Sequence, residues 1–256
     1  MADPILAYWW NAKPNFGDAI SKRLIEAVSG RPVEWADKRQ ANFFGVGSLM
    51  RIAMRRGAYD DPMRMWGTGM IGPEPHVFGD HVTIGSVRGP LTAEHLGLKG
   101  VAYGDPGLLA DRIEPARPKA HSLGIVPHHR HLDRMPIFNQ LAEKVPGAPL
   151  IRVDADDPWE TVRQISACEV IASSSLHGLI VADSYGIPNY YLAHNPNNLR
   201  VDFKFEDYGL SVGRNMQTRF SAMDVLEFVG KGTHEGFGYL TGLDRIKQGI
   251  LNAFPR

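Results

Sequence analysis

The residues best suited to chemistry lie in one short stretch, Ile-Ala-Ser-Ser-Ser-Leu-His-Gly at positions 171–178. An apolar run ends there in Ser173, Ser174 and Ser175, and apolar residues at helical spacing follow at once. A strand that leads directly into a helix presents serine hydroxyls and free backbone N–H groups at the helix N-terminus, where anions bind. We therefore expect an anion site at this junction.

His177 falls in the first turn of the same predicted helix. The helix dipole disfavours an imidazolium there unless a bound phosphate or carboxylate reverses the balance. The position suits a proton donor that becomes charged only when an anionic substrate is present. The alternative is a histidine that caps or packs at a strand–helix junction, and the residues alone favour this alternative.

Three further polar residues follow strand-like runs. Arg88 precedes Gly-Pro-Leu-Thr, a helix start, so its guanidinium can reach a cleft and form paired bonds to a carboxylate or phosphate, or else make a surface ion pair. Asp18 closes the loop that begins at Asn15, and it is either a helix N-cap or a base that faces the cleft. Asp105, in Gly-Asp-Pro-Gly, has the same two interpretations.

Glycine turns and a histidine cluster give weaker signals. The run Gly-Thr-Gly-Met-Ile-Gly at 67–72 has dinucleotide-binding spacing, but prolines follow where the phosphate-binding helix should begin, which argues against that site. This turn and Gly-Val-Gly-Ser at 45–48 instead let backbone approach backbone or a ligand. His128, His129 and His131 lack metal-site spacing, so we expect at least one of them to line a cleft and none to hold a metal.

Composition and missing motifs exclude several classes of protein. Lys plus Arg and Asp plus Glu both number 28, which removes the electrostatic footprint of a non-specific nucleic-acid binder. The single cysteine, Cys168, excludes a disulfide framework. Nucleophile-elbow, P-loop and zincin motifs are absent from the sequence. The start of the chain has no basic region before its short apolar run, and no run approaches a membrane span, so we expect a cytoplasmic protein.

Strand-like runs alternate with helix-like periods, which is typical of parallel βα units. A proline-containing, linker-like segment at 112–120 separates two such halves. The alternation predicts an α/β fold of two Rossmann-like domains facing each other across a cleft, at 1–115 and 116–256. The predicted strands are 5–10, 42–46, 63–66, 82–87 and 101–103 in the first half, and 122–126, 150–153, 170–173 and 189–193 in the second.

Local signals also predict individual helices. Ile20, Leu24 and Val28 form one apolar stripe, with Gly30 as the C-terminal cap. A second helix begins near Pro158 with a capping box, in which Asp157 is the N-cap and Glu160 reaches back to it. Residues 203–213 are interpreted as a loop or an irregular excursion, and residues 222–229 and 240–253 as helices.

These pieces occur in the order found in polysaccharide pyruvyltransferases, a family that the chain resembles over about residues 5–210. The resemblance implies a GT-B-like fold, phosphoenolpyruvate as donor and a saccharide acceptor, often lipid-linked, as in exopolysaccharide synthesis of the succinoglycan and xanthan type. The likeness rests on Asn-Phe-Gly-Asp (15–18), both glycine turns, Val-Arg-Gly-Pro-Leu-Thr (87–92), Tyr-Gly-Asp-Pro-Gly-Leu (103–108), Ile-Val-Pro-His (125–128), Ser-Ser-Ser-Leu-His-Gly (173–178), Tyr-Gly-Ile-Pro (185–188) and Lys-Phe-Glu-Asp-Tyr (204–208).

By position, Arg88 looks like the donor-binding arginine of the family, and His177 looks like the histidine that acts as its acid. Ser175 departs from the pattern, because many relatives have an arginine directly before Leu-His. A second cation for the donor would then come from elsewhere. The candidates are Arg200, Lys204 and Arg214.

The resemblance also implies a mechanism. His177 protonates C3 of the enol, a sugar hydroxyl adds to C2, phosphate leaves and a second hydroxyl closes a pyruvate ketal, with Asp18 as the base. In the domain assignment, residues 1–115 form the acceptor side and contribute Arg88, and residues 116–256 form the phosphoenolpyruvate side and contribute His177. The substrate contacts expected are Arg88, Ser173, Ser174, Ser175, Leu176, Asn15, Gly17, Gly47, Gly69, Asp105, His128 and Lys204.

We expect no cofactor, no required metal and no nucleic-acid partner, although peripheral contact with the inner membrane face fits a lipid-linked acceptor. Two rival functions share the predicted architecture. A nucleotide-sugar glycosyltransferase would use the same cleft and anion-binding helix, and a non-catalytic saccharide-binding module would keep the fold without turnover.

Overall fold

The computed structural model describes residues 3–56, 61–134, 136–193, 202–216, 219–231 and 236–256. The protein is an α/β structure with a six-stranded parallel sheet in its first half. The order across this sheet is β2-β1-β3-β4-β5-β6. Its strands are β1 (Ile5–Tyr8), β2 (Val33–Trp35), β3 (Phe43–Phe44), β4 (Met63–Trp66), β5 (Val82–Val87) and β6 (Ala102–Tyr103).

A second parallel sheet has the order β7-β8-β9. Its strands are β7 (His121–Val126), β8 (Cys168–Ser173) and β9 (Asn189–Tyr191). Single bridges extend it on both sides, because Leu150 pairs with Ile125 of β7 and Phe220 pairs with Leu192 just after β9. The predicted strand 150–153 is reduced to the first of these bridges.

Helices cover the two sheets, and a short 3-10 helix spans Pro106–Arg112. No helix in the described part of the chain is long and apolar enough to cross a membrane. The helices are α1 (Phe16–Ala19), α2 (Ser21–Ser29), α3 (Met50–Arg56), α4 (Pro90–His95), α5 (Pro136–Lys144), α6 (Pro158–Ser166), α7 (Leu176–Ser184), α8 (Phe203–Val212), α9 (Ala222–Lys231) and α10 (Leu243–Asn252).

Most predicted strands are confirmed within one or two residues, and β4 and β5 have the predicted bounds. Strand β2 and helix α3 were not predicted.

The predicted helix with the apolar stripe Ile20, Leu24 and Val28 is confirmed as α2, and it ends at Gly30 in the left-handed region (φ 67°). The cap of α6 is confirmed only in part. Asp157 accepts a hydrogen bond from the Trp159 amide at 3.0 Å, but Glu160 binds Arg163 and does not reach back.

The prediction of a loop at 203–213 is wrong, because this segment forms α8. Phe205, Tyr208 and Val212 recur at helical spacing and are buried, so they supply the apolar stripe that anchors the helix. Gly213 ends the helix with φ 73°. A glycine in this position is a C-cap signal.

The two halves of the chain share one core, because buried residues such as Phe16, Val126 and Leu176 belong to a single apolar cluster. The C-terminal segment also returns to the first sheet. The Trp66 indole donates to the Ile250 carbonyl at 2.8 Å, and the Phe254 ring lies 4.9 Å from the Trp66 ring. The division at residue 115 stays a prediction, and this returning segment crosses it.

In each sheet, the order in which the chain adds neighbouring strands reverses at one internal point. In the first sheet the chain order reverses between β1 and β3, and in the second the bridge at Leu150 makes it reverse between β7 and β8. Parallel sheets bind ligands in the crevice outside the strand carboxyl ends at such points. The loops that follow these four strands are therefore the expected site.

Candidate functional site

A cleft of about 360 Å³ lies where the loops after β1, β3, β7 and β8 meet. A second cavity, of about 410 Å³ beside Phe254, is lined by no histidine or aspartate and so lacks acid–base groups. The cleft is lined by Trp10, Asn15, Asp18, Ser48, Leu49, Arg51, Ile52, Ile71, His128, His129, Arg130, Ser175, Leu176, His177 and Lys204.

His177 lines the cleft from the first turn of α7, with its side chain 11% exposed. Its Nε2 lies 3.7 Å from Oδ2 of Asp105, and in the described part of the chain neither atom has a hydrogen-bond partner. Asp105 is fully buried, and its other oxygen caps the 3-10 helix by accepting from the Gly107 amide at 2.9 Å. Asp105 therefore faces the imidazole but does not line the cleft.

Asp18 lies in α1 and reaches the same cleft. It does not cap the helix, because the N-cap position belongs to Asn15, whose side-chain amide donates to Oδ2 of Asp18. Burial raises the pKa of Asp18, and His177, Asn15 and Lys204 act against that rise. A buried carboxyl with a raised pKa is closer to neutral pH and so better suited to take up a proton.

Two glycines make room for these side chains. A Cβ on Gly17 would lie 2.2 Å from Nδ1 of His177, and a Cβ on Gly47 would lie 2.5 Å from Oδ1 of Asp18. Gly47 also has φ 107°, a conformation that other residues rarely adopt. Gly17 and Gly47 thus leave space for the side chains of His177 and Asp18, rather than for a ligand directly.

Lys204, at the start of α8, brings a cation into the cleft. Burial is the main reason that its pKa falls to about 8, with a further decrease caused by Arg88. Its ammonium lies 5.2 Å from the centre of the Phe205 ring, and among the described residues no carboxylate comes within 4.0 Å of it. This is a positive charge without a counter-ion, facing the cleft.

Arg88 does not line the cleft, contrary to the expectation that its guanidinium would face a ligand. It is fully buried, and its Nε donates to Asp207 at 3.2 Å. One terminal nitrogen donates to Ser48 at 2.8 Å and the other to the Met70 carbonyl. A Cβ on Gly69 would lie 2.4 Å from the guanidinium carbon, so this glycine leaves space for the arginine. Arg88 reaches the cleft only through Ser48.

Only one of the three serines lines the cleft. Ser175, the N-cap residue of α7, faces it, and Leu176 follows beside it. The Ser173 hydroxyl donates to the Val126 carbonyl at 2.8 Å, and the Ser174 hydroxyl accepts from the His128 amide at 2.9 Å. Two serines therefore hold the strand ends together, which corrects the expectation that all three would contact a ligand.

Of the three histidines after β7, two line the cleft and the third binds a serine. His128 and His129 line the cleft. Burial, together with nearby cations that include Lys204, lowers the pKa of His128 to about 2, so its ring is neutral. The Nδ1 of His131 lies 3.0 Å from the Ser174 hydroxyl. In the described ranges, no cluster of three His, Cys, Asp or Glu side chains is arranged to hold a metal ion.

Of the two other candidates for a second donor-binding cation, the one that the structure describes does not line the cleft. Arg214 binds Asn189 through its two terminal nitrogens, both at 2.5 Å, and its Nη1 lies 3.7 Å from Asp183. Arg200 lies outside the described residues. Of the two candidates that the structure describes, Lys204 is the one that lines the cleft.

Sequence reasoning did not select several cleft residues. Ser48 and Arg130 had a usable signal, because each follows the carboxyl end of a strand next to a direction change. The Arg130 guanidinium has no carboxylate within 4.0 Å among the described residues, so it adds a second unpaired cation. Trp10, Arg51, Ile52 and Ile71 had no such local signal.

Comparison with known proteins gives two findings. A curated but uncharacterized protein of Acanthamoeba polyphaga mimivirus is 31% identical over 132 residues, which is 48% of this chain. The chain spans about half the length of that relative, since the alignment covers 45% of it. The second finding is a match between residues 81–196 and the family described as polysaccharide pyruvyl transferase. These residues include Arg88, Asp105 and His177, and over this segment the match supports a relationship to the polysaccharide pyruvyl transferase family.

Proposed function

We propose that the protein transfers pyruvate from phosphoenolpyruvate to two hydroxyl groups of one sugar, in a polysaccharide or its lipid-linked precursor, and so forms a pyruvate ketal. The observation that carries the proposal is the grouping in one cleft of His177, which Asp105 faces at 3.7 Å, with Asp18 and the ammonium of Lys204, which has no carboxylate partner among the described residues. These groups supply an acid, a base and an anion-binding charge.

The donor has two anionic groups, a phosphate and a carboxylate, and both need partners. Lys204 and Arg130 supply unpaired positive charge, and the first turn of α7 adds backbone N–H groups beside Ser175. A helix N-terminus and fixed cations bind such anions with charge-assisted hydrogen bonds. Lys204 therefore takes the role expected of the arginine that Ser175 replaces, while Arg88 holds Ser48 in position.

His177 is the proposed acid. It gives a proton to C3 of the donor, and C2 then develops positive charge as a sugar oxygen bonds to it. The carboxylate of Asp105 faces the imidazole Nε2 and so stabilises the protonated ring. Asp105 acts through His177 and is a positioning residue. General-acid assistance of this kind contributes about 10²- to 10⁴-fold to a rate.

Asp18 is the proposed base. It accepts the proton of the attacking hydroxyl, phosphate leaves from C2, and a second hydroxyl of the same sugar closes the ketal. Of the two hydroxyl protons lost, one balances the proton delivered to C3 and the other leaves with phosphate. We further propose that the two sheets correspond to GT-B-like halves, with the acceptor on the side of residues 1–115.

Two measurements test this function. Phosphoenolpyruvate alone should bind, and at roughly 100 times its Kd it should add about 2.7 kcal/mol of stability, seen as a rise of a few degrees in Tm. UDP and GDP should give less. Incubation with phosphoenolpyruvate and a panel of oligosaccharides should release phosphate and add the mass of pyruvate minus water to one sugar.

The outcomes separate the rival functions. A larger rise in Tm with UDP or GDP than with phosphoenolpyruvate would favour a nucleotide-sugar glycosyltransferase. Since a donor that binds only after the acceptor would give no rise alone, the measurement is repeated with the oligosaccharide panel present. Absence of a rise under both conditions, without phosphate release, would contradict the proposal and favour a saccharide-binding module.

A further inference from the structure

The mouth of the cleft carries apolar surface that the donor does not need. Trp10 is 43% exposed and Ile71 is 68% exposed, and both line the cleft. Other large exposed apolar side chains, such as Val77 and Met223, lie elsewhere. Phosphoenolpyruvate is a small anion with almost no apolar area. Exposed apolar residues grouped at one cleft mark a binding surface for another molecule.

Trp10 shares a loop with the groups that would deprotonate an acceptor. It lies two residues after β1 ends, and the same loop leads to Asn15, whose amide binds the Asp18 carboxylate. A molecule bound against the indole would occupy the same cleft as that carboxylate. Polar groups of Asn15 and Ser48 line the same cleft and are available to hydroxyl groups.

We infer that Trp10 and Ile71 form the acceptor subsite, in which the indole stacks against the C–H face of a sugar ring. This inference rests on the proposed function and names the acceptor side of the same cleft. A pyranose ring has one face of C–H bonds and a rim of hydroxyls, which matches a flat aromatic surface bordered by polar side chains. A tryptophan offers that surface at little cost in side-chain entropy.

The test measures binding of lactose, cellobiose and maltose, each up to 100 mM, by the change in intrinsic tryptophan fluorescence and by isothermal titration. At least one disaccharide should bind the wild-type protein. Trp10→Ala should weaken that binding about 10-fold, as expected for loss of an aromatic stacking partner, and Trp10→Phe should retain most of it. Ile71→Ser should weaken it less, and Met223→Ser, an equally exposed change on α9, should leave it unchanged.

Donor binding provides the separate readout. The rise in Tm caused by phosphoenolpyruvate should be the same in Trp10→Ala as in the wild type, because the indole does not contact the donor. Saturable disaccharide binding that Trp10→Ala does not weaken would overturn the subsite, and so would the absence of binding by all three sugars. If a sugar binds through Trp10 but phosphoenolpyruvate does not bind, the proposed function fails and the saccharide subsite stands.

Discussion

Two charged regions lie side by side in this protein, and they differ in whether their hydrogen bonds are complete. Around Arg88, the guanidinium binds Asp207, Ser48 and Met70, and Asp207 also accepts from the amide and hydroxyl of Thr92 at 2.9 and 2.7 Å. In the cleft, by contrast, facing atoms of His177 and Asp105 have no hydrogen-bond partner, and Lys204 has no counter-ion among the described residues.

The difference separates a structural charge from a functional one. A buried ion pair with complete hydrogen bonds joins elements and has little left to offer a ligand. Groups held in a cleft without partners retain their bonding capacity for a substrate. We therefore assign Arg88 to the scaffold that holds Ser48 and α8, and the chemistry to the residues of the cleft.

The largest effect is expected at His177. His177→Gln keeps a side chain of similar size but removes the acid, so phosphate release from phosphoenolpyruvate with the oligosaccharide panel should fall by about 10²- to 10⁴-fold. The Tm should change little. His121→Gln, at the start of β7 and away from the cleft, is the matched control and should keep full activity. Turnover near the wild-type rate in His177→Gln would remove this residue from the acid role.

Arg88 should matter for folding. Arg88→Met leaves the Asp207 carboxylate buried without its counter-ion, which should lower the free energy of unfolding by about 3–5 kcal/mol in urea denaturation. The control is Arg23→Met, which breaks a 2.9 Å ion pair with Glu114 at a site where the arginine is 46% exposed. That change should cost at most about 1 kcal/mol. If Arg88→Met kept full stability and lost donor binding, Arg88 would belong to the donor site.

Lys204 should show the opposite behaviour. Lys204→Met removes a charge-assisted contact to the donor, worth about 1.5–3 kcal/mol, so the Kd for phosphoenolpyruvate should rise about 10- to 100-fold. Stability should be unchanged or higher, because burial of an unpaired ammonium is unfavourable. Lys22→Met, on the exposed face of α2, serves as the control. An unchanged Kd would exclude Lys204 from the donor site.

Lys204 should also make the affinity for phosphoenolpyruvate depend on pH. The pKa of Lys204 is lowered to about 8, so the ammonium is charged below that pH and neutral above it. Donor affinity should therefore fall as the pH rises from 7 to 9. Lys204→Arg, which stays charged, should reduce this fall. Calorimetric titrations across the range would check both curves.

The smallest effect is expected at Asp105. Asp105→Asn keeps the oxygen that caps the 3-10 helix but removes the charge that faces His177, so kcat should fall about 10-fold. The protonated imidazole also faces Asp18 and shares the cleft with Lys204, and these charges remain. The KM for phosphoenolpyruvate should change little, because Asp105 does not line the cleft.

Asp111→Asn in the same 3-10 helix is the control for that variant, since Asp111 pairs with Lys247 at 2.8 Å and not with His177. A fall in Tm with kcat unchanged would indicate that Asp105 has only its capping role.

Local pattern predicted much of the fold. Each strand of a parallel sheet is an apolar run with turn residues after it, so β4 and β5 could be located residue by residue. The Asp157 cap was equally local, because donor and acceptor lie within two residues. Strand β2 was not predicted, since only the first of its three residues is buried. Helix α8 was missed although Phe205, Tyr208 and Val212 recur at helical spacing.

In the site, the sequence by itself determined that Ser175 and His177 sit at a strand–helix junction and that Asp18 begins another, since neighbours along the chain fix both. Only the tertiary structure decided which charges are neutralised. Arg88 is paired by Asp207, 119 residues away, whereas Lys204 reaches the cleft without such a partner among the described residues. The role of a charge depends on its distance to an opposite charge and on its access to water, and both are set by how distant segments pack.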